Sequence, residues 1–115
     1  HKLGDLCLKE IGTILDKRFS ENGIAARIGG EEFCILISDC GPHDPFHLFD
    51  ELREEIKNIR IDTSGGEITI TVSIGVYKGK LQDLEKAVAF ADRQLYIAKE
   101  NGRDQVRIAG DANRA

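Results

Sequence analysis

Residues 32–38 dictate more about the fold than any other stretch. Phe33, Ile35 and Ile37 alternate as strand positions do, yet Cys34 and Leu36 make the intervening face apolar as well. A strand that is apolar on both faces belongs inside a sheet covered on both sides. Residues 24–28 read as a second strand. Between the two lies Gly29-Gly30, and glycine adopts the positive φ angles that a two-residue hairpin turn requires.

The remaining elements follow from periodicity. Residues 3–19 carry Leu3, Leu6, Cys7, Ile11, Ile14, Leu15 and Phe19 at helical spacing. Residues 45–59 form a helix with Phe46, Phe49, Leu52, Ile56 and Ile59 on one stripe, and Asp39, Asp44 and Asp50 read as loop or cap residues. A turn cluster at 62–67 precedes a strand in which Ile68, Ile70, Val72, Ile74 and Val76 face one way and Thr69, Thr71 and Ser73 the other. A final helix spans roughly 81–100, with Leu84, Ala87, Val88, Ala91, Leu95 and Ala98 as its buried stripe. Gly102 stands where a helix ends, and a last strand covers 104–109. In the final helix Tyr96 is expected to pack, and Asp92 to hold the helix against the sheet. The order is helix, strand, strand, helix, strand, helix, strand. This is an α+β layout with an antiparallel hairpin at its centre.

The chain has 115 residues, enough for one domain. Residues 1–110 are expected to form that domain, with 111–115 as a polar tail. The net charge of −4 argues against a general nucleic-acid binder. The longest apolar-rich stretch, 68–76, is too short to span a membrane, and no signal peptide is visible. Cys7, Cys34 and Cys40 have no metal-binding spacing, which points to reduced thiols and a cytoplasmic setting. There is no methionine even at position 1, so the expectation is a piece of a longer protein.

The hairpin tip, ARIGGEEF at 26–33, places Glu31 and Glu32 directly after Gly29 and Gly30. Adjacent carboxylates repel each other, and glutamate is a poor strand former. Paired acids at a strand end suit a hard divalent cation, and glycines beside them let a phosphate approach the backbone. A solvent-exposed turn accounts for the same residues, and the tip alone leaves both readings open. His43 and His47 are four apart, but Pro45 separates them and no third ligand is evident, so they read as surface residues.

Four segments together carry a family resemblance. ARIGGEEF resembles the signature of the GGDEF family in its GGEEF form. HKLGDLCL at 1–8 is similar to that family's GHxxGDxxL element, ITVSIGV at 70–76 to its VTVSIGV strand, and ADRQLYIAKENGRDQV at 91–106 to its ADxALYxAKxxGRNxV segment. The resemblance covers nearly the whole chain. It implies a nucleotidyl-cyclase-like fold with a palm-like, ferredoxin-like core: an antiparallel sheet with a central β-hairpin, packed against helices.

It also implies roles. Glu31 corresponds to the catalytic acidic residue and metal ligand, and Glu32 to a contact of the second metal. Gly29 and Gly30 line the phosphate approach, and Lys99 and Arg103 match the residues that contact phosphates. Asp5 matches the aspartate that binds guanine, and His1 the histidine of the same element. A carboxylate can accept from both N1–H and the 2-amino group of guanine. The implied reaction is that of a diguanylate cyclase, which joins two GTP molecules into cyclic di-GMP with magnesium or manganese as cofactor. One domain holds one GTP, so catalysis implies a homodimer. The implied setting is a bacterial signalling protein with a sensor or receiver domain elsewhere in the parent chain, and with no nucleic acid and no membrane contact by this domain.

Two departures stand out. The family's first strand and helix, with an FDxDxFKxxND-type segment, are missing from this chain. That strand belongs beside the hairpin, so two strands are expected to lack a partner, and the fragment alone is expected to be inactive. The RxxD motif of product feedback is also absent, with Ser20 and Gly23 at the matching positions. No product inhibition through that site is therefore expected. The alternative to an active cyclase is a degenerate GGDEF domain that binds GTP or cyclic di-GMP and regulates a partner without turnover. A plain interaction module without a nucleotide is opposed by the four co-located motifs.

Overall fold

The computed structural model describes residue 9 and residues 11–13, 23–38, 42 and 44–110. Lys9 and residues 11–13 are helical, with Ile11 packed against the core. The rest of the expected first helix lies outside the described residues, as do Cys7, Cys40, His43 and the tail at 111–115.

The strand β2, Glu32–Ile37, organises the core. Phe33, Ile35 and Ile37 project from one face onto Phe49, Leu52 and Ile56 of helix α1, Pro45–Lys57. Cys34 and Leu36 project from the other face onto Ala87, Ala91 and Leu95 of helix α2, Leu84–Glu100. The sheet is thus a middle layer between two helices, as an apolar run with alternating sides requires. Both α1 and α2 start at an aspartate. The Asp44 carboxylate accepts the His47 N–H at 3.0 Å, with Pro45 at the first helical position. The Asp83 carboxylate accepts the Lys86 N–H at 3.1 Å, which sets the start of α2 at 84 rather than 81.

The remaining strands are β1, Gly23–Gly29, β3, Ile61–Thr63, β4, Gly66–Ile68, β5, Ser73–Lys78, and β6, Val106–Gly110. The main sheet runs β1-β2-β5-β6. The α+β class and the sheet packed against helices match expectation, and three details differ.

First, the sheet is mixed rather than wholly antiparallel. β1 pairs antiparallel with β2, but β2–β5 and β5–β6 are parallel. The hairpin therefore occupies one side of the sheet, with β1 at the edge. Second, β2 does not lack a partner. It ladders directly with β5 from Glu32↔Ser73 to Ile37↔Lys78. The physical reason is the cost of leaving buried backbone groups unpaired, roughly 1–3 kcal/mol each. Third, the long strand expected from 68 begins only at Ser73. Residues 66–68 instead fold back on 61–63 as a small second hairpin, whose tip is the expected turn cluster. Ile70 and Val72 remain in the core without joining the ladder.

The helix stripes are narrower than expected. Phe49, Leu52 and Ile56 of α1 and Ala87, Ala91, Leu95 and Ala98 of α2 are buried as expected, but Phe46, Ile59, Leu84 and Val88 are exposed. Tyr96 is 60% exposed rather than packed, and Asp92 is exposed.

Candidate active site

The parallel trio β2, β5 and β6 presents its N-terminal ends at one edge, and the hairpin tip and the end of α2 arrive there too. The tip closes with Gly29 paired to Glu32, leaving Gly30 and Glu31 as the turn. The register shifts between Arg27 and Gly29, so a bulge introduces the bend. This corrects the expectation for the glycine pair: neither adopts positive φ. The bulge supplies the twist that a left-handed turn would otherwise supply. What Gly29 provides is space, because a Cβ there would stand 3.1 Å from Glu32 Oε1, while the position above Gly30 is open.

Glu31 is exposed, and among the described residues its carboxylate has no ion-pair partner. Its backbone is fixed, since the Ser73 N–H donates to the Glu31 carbonyl at 2.9 Å. Glu32 is different. Its side chain is only 18% exposed and is shared between two cations: Lys99 Nζ lies 3.3 Å from Oε1, and Arg103 Nη1 lies 3.3 Å from Oε2. Glu31, Glu32, Lys99 and Arg103 thus meet at one edge, two anions with two cations.

Lys99 sits in the last turn of α2. Arg103 lies beyond the helix rather than on a neighbouring turn of it. Gly102 takes φ 107° as the expected terminator, and the Arg103 N–H then donates to Ala98 O at 2.8 Å. Arg103 and Asp104 continue in left-handed conformation at φ 61° and 48°. The Asp104 N–H donates to Ser73 Oγ at 3.1 Å, so Ser73 touches both the hairpin tip and this turn.

The Asp104 carboxylate accepts from Arg53 Nη1 and Lys57 Nζ, both at 2.6 Å. Burial pushes its pKa up, but those hydrogen bonds and charges prevail and hold it below the usual carboxylate value. Arg53 is buried, and also donates to Asp50 at 2.9 Å and Glu54 at 2.6 Å. Burial disfavours its charge, and these acceptors more than compensate, raising its pKa.

Of the expected site residues, Glu31, Glu32, Gly29, Gly30, Lys99 and Arg103 come together. His1 and Asp5 lie outside the described residues. Among the described residues no group of three acidic, histidine or cysteine side chains could hold a metal unaided. The tip offers two carboxylates, which suits a magnesium-type ion that takes one or two protein carboxylates and completes its shell with substrate phosphates and water. Ser73, Asp104, Arg53 and Lys57 escaped the sequence reading. The last of the hydroxyls at 69, 71 and 73, next to an apolar run, and an aspartate directly after Gly-Arg were the signals available for the first two. A cavity of about 480 Å³ lined by Tyr77, Lys80, Lys86 and Phe90 lies at the opposite end of β5 and holds none of the site residues. No helix among the described residues is long and apolar enough to cross a membrane.

Residues 1–105 match the sequence family described as "Diguanylate cyclase, GGDEF domain". The chain is 32% identical over 111 residues to Diguanylate cyclase A of Treponema denticola, covering 95% of this chain and 30% of that protein. It is 35% identical over 109 residues to the uncharacterized protein YhcK of Bacillus subtilis, covering 92% of this chain and 30% of that one. It is 27% identical over 111 residues to Diguanylate cyclase DosC of Escherichia coli, covering 94% and 24%. The chain therefore spans less than a third of the length of these relatives.

Proposed function

Because the chain belongs to the GGDEF family of diguanylate cyclases, we propose that it is a diguanylate cyclase domain that condenses two GTP molecules into cyclic di-GMP. The observation that carries this reading is the meeting of Glu32 with both Lys99 and Arg103 beside the open Glu31. Carboxylates for a divalent cation and cations for a triphosphate then sit at one strand end.

In this reading Lys99 and Arg103 take the phosphates of GTP. The shift in their partner from the Glu32 carboxylate to phosphate oxygens leaves Glu32 beside Glu31 for the cation. A magnesium or manganese ion held by Glu31 and Glu32 would neutralise phosphate charge and lower the pKa of the attacking hydroxyl. The 3′-oxygen of one GTP bonds to the α-phosphorus of the other, the α–β bridging bond breaks, and pyrophosphate departs with its electron pair. The hydroxyl proton passes to solvent or to a nearby base. Two such steps close the ring, so two domains must face each other. Asp5 and His1 take the guanine on the strength of the motif they belong to.

The test is synthesis of cyclic di-GMP by the full-length protein with GTP and magnesium, compared with its Glu31→Ala variant. A loss of about 100-fold or more is expected for a group acting on the transition state. Equal synthesis by the variant removes Glu31 from the mechanism. GTP binding without product in the unmodified protein favours a regulatory binding module.

A further inference from the structure

We propose that Asp104 is a positioning residue for Arg103, tying the turn after α2 to α1 and β5 so that the Arg103 guanidinium faces Glu32. This inference rests on the reading of Arg103 as a phosphate contact.

Gly102, Arg103 and Asp104 take φ of 107°, 61° and 48° in succession. Glycine sits there freely, and aspartate is among the residues that tolerate this region. Arginine has no such provision, and a non-glycine residue stays left-handed only where its surroundings over-determine it. The Arg103 N–H to Ala98 O bond fixes the start of the turn. Its end is fixed at Asp104 by the N–H to Ser73 Oγ at 3.1 Å and by the carboxylate on Arg53 and Lys57 at 2.6 Å each.

The side chain of Arg103 cannot hold the turn itself. It is 58% exposed, and its contact with Glu32 is 3.3 Å long. Exposed pairs of this kind contribute little. Asp104, by contrast, has its side chain only 25% exposed and each oxygen engaged by a cation of α1, so it faces that helix. Its effect on the site therefore passes through Arg103. Without the carboxylate, Arg103 relaxes towards the right-handed region and its guanidinium swings from the hairpin tip.

The experiment is a double-mutant cycle in the full-length protein, read as KM and kcat for GTP together with thermal stability. Asp104→Ala is expected to raise KM about tenfold with a smaller change in kcat, as loss of a ground-state phosphate contact does. Asp104→Asn, which tolerates the left-handed backbone and keeps one acceptor, should recover most of that loss. In an Arg103→Ala background, Asp104→Ala should cost nothing further. If Asp104→Ala does not fold, Lys57→Ala removes one of the two carboxylate bonds and should show the same non-additivity at smaller size. The inference is overturned if KM stays within about twofold while stability falls, or if the two losses multiply. Unchanged KM in Arg103→Ala alone sinks the phosphate reading instead, and this inference with it.

Discussion

Glu32 and Arg103 are 71 positions apart in sequence, yet Arg103 Nη1 reaches Glu32 Oε2 at 3.3 Å while Lys99 takes the other oxygen. One carboxylate thus occupies the two cations proposed to receive a triphosphate. In the proposed reading, phosphate oxygens would compete with Glu32 for these partners. Arrival of a nucleotide would then free Glu32 for a divalent cation, and linkage would make the effect reciprocal. Magnesium and a non-hydrolysable GTP analogue should therefore each tighten binding of the other, by about fivefold or more. In Glu32→Gln the competing charge is gone, so metal-free binding of the analogue should strengthen and the coupling should shrink. Calorimetric titration with and without magnesium measures both. Coupling of unchanged size in the variant rules out this competition.

Gly75 marks where α2 comes closest to the sheet. A Cβ at this position would lie 2.3 Å from Ala91 O, 2.5 Å from Leu95 N and 2.8 Å from Leu95 Cα, all backbone atoms. A helix backbone cannot yield as a side chain can. Gly75→Ala should cost about 1–3 kcal/mol, as overpacking does, and lower the melting temperature of this domain by roughly 5–15 °C. Calorimetry of the variant tests this, and an unchanged melting temperature would show that α2 stands off from β5.

The same close approach explains what the sequence could and could not disclose. β2 was legible because Phe33, Ile35 and Ile37 alternate with Cys34 and Leu36, and both sets are buried on opposite helices. The helix at 84–100 was legible, and so were Ala87, Ala91, Leu95 and Ala98 as its buried stripe. Leu84 and Val88 read as core by hydrophobicity but are exposed, because Gly75 brings α2 so near that the small residues make the contact. The hairpin tip was legible as a place, since glycines and acids cluster there, but its bend comes from a bulge that leaves no local signature. The parallel ladder of β2 with β5 and the Arg53–Asp104 bond, 51 positions apart, depend on chain paths that periodicity does not encode.

The carboxylate of Asp104 links the fold to pH. Its pKa in the folded chain lies below the ordinary value of 3.8, because the Lys57 and Arg53 hydrogen bonds outweigh the effect of burial. A depressed carboxylate stabilises the fold fully above its unfolded pKa, and that contribution is lost as pH falls through the folded value. Stability owed to Asp104 should thus be constant at neutral pH and disappear below about 3.8. Asp104→Asn should lose this contribution at neutral pH and narrow the gap to the unmodified protein on acidification. Urea titrations from pH 7 to pH 3 (~1 unit apart) provide the comparison. A gap that widens in acid contradicts the assignment.

Cys34 sits under α2 in the β2 strand, and its reactivity follows from that place. Burial is the main cause that pushes its thiol pKa up to about 11, and the negative charges of Asp92 and Glu32 add to it. Only the thiolate attacks alkylating reagents. With a pKa near 11, roughly 0.1% is thiolate at pH 8, against about a tenth for a cysteine at the ordinary value of 9.0. The folded protein should therefore resist iodoacetamide at Cys34, and brief exposure to denaturant should make the site react at the normal rate. Mass spectrometry of the peptide containing residues 32–38 separates Cys34 from the other cysteines. Asp92→Asn should leave the protection largely intact, because burial rather than charge supplies most of it. Rapid alkylation in the folded protein would mean that β2 and α2 part often enough to expose the strand, and with it the base of the hairpin that carries Glu31.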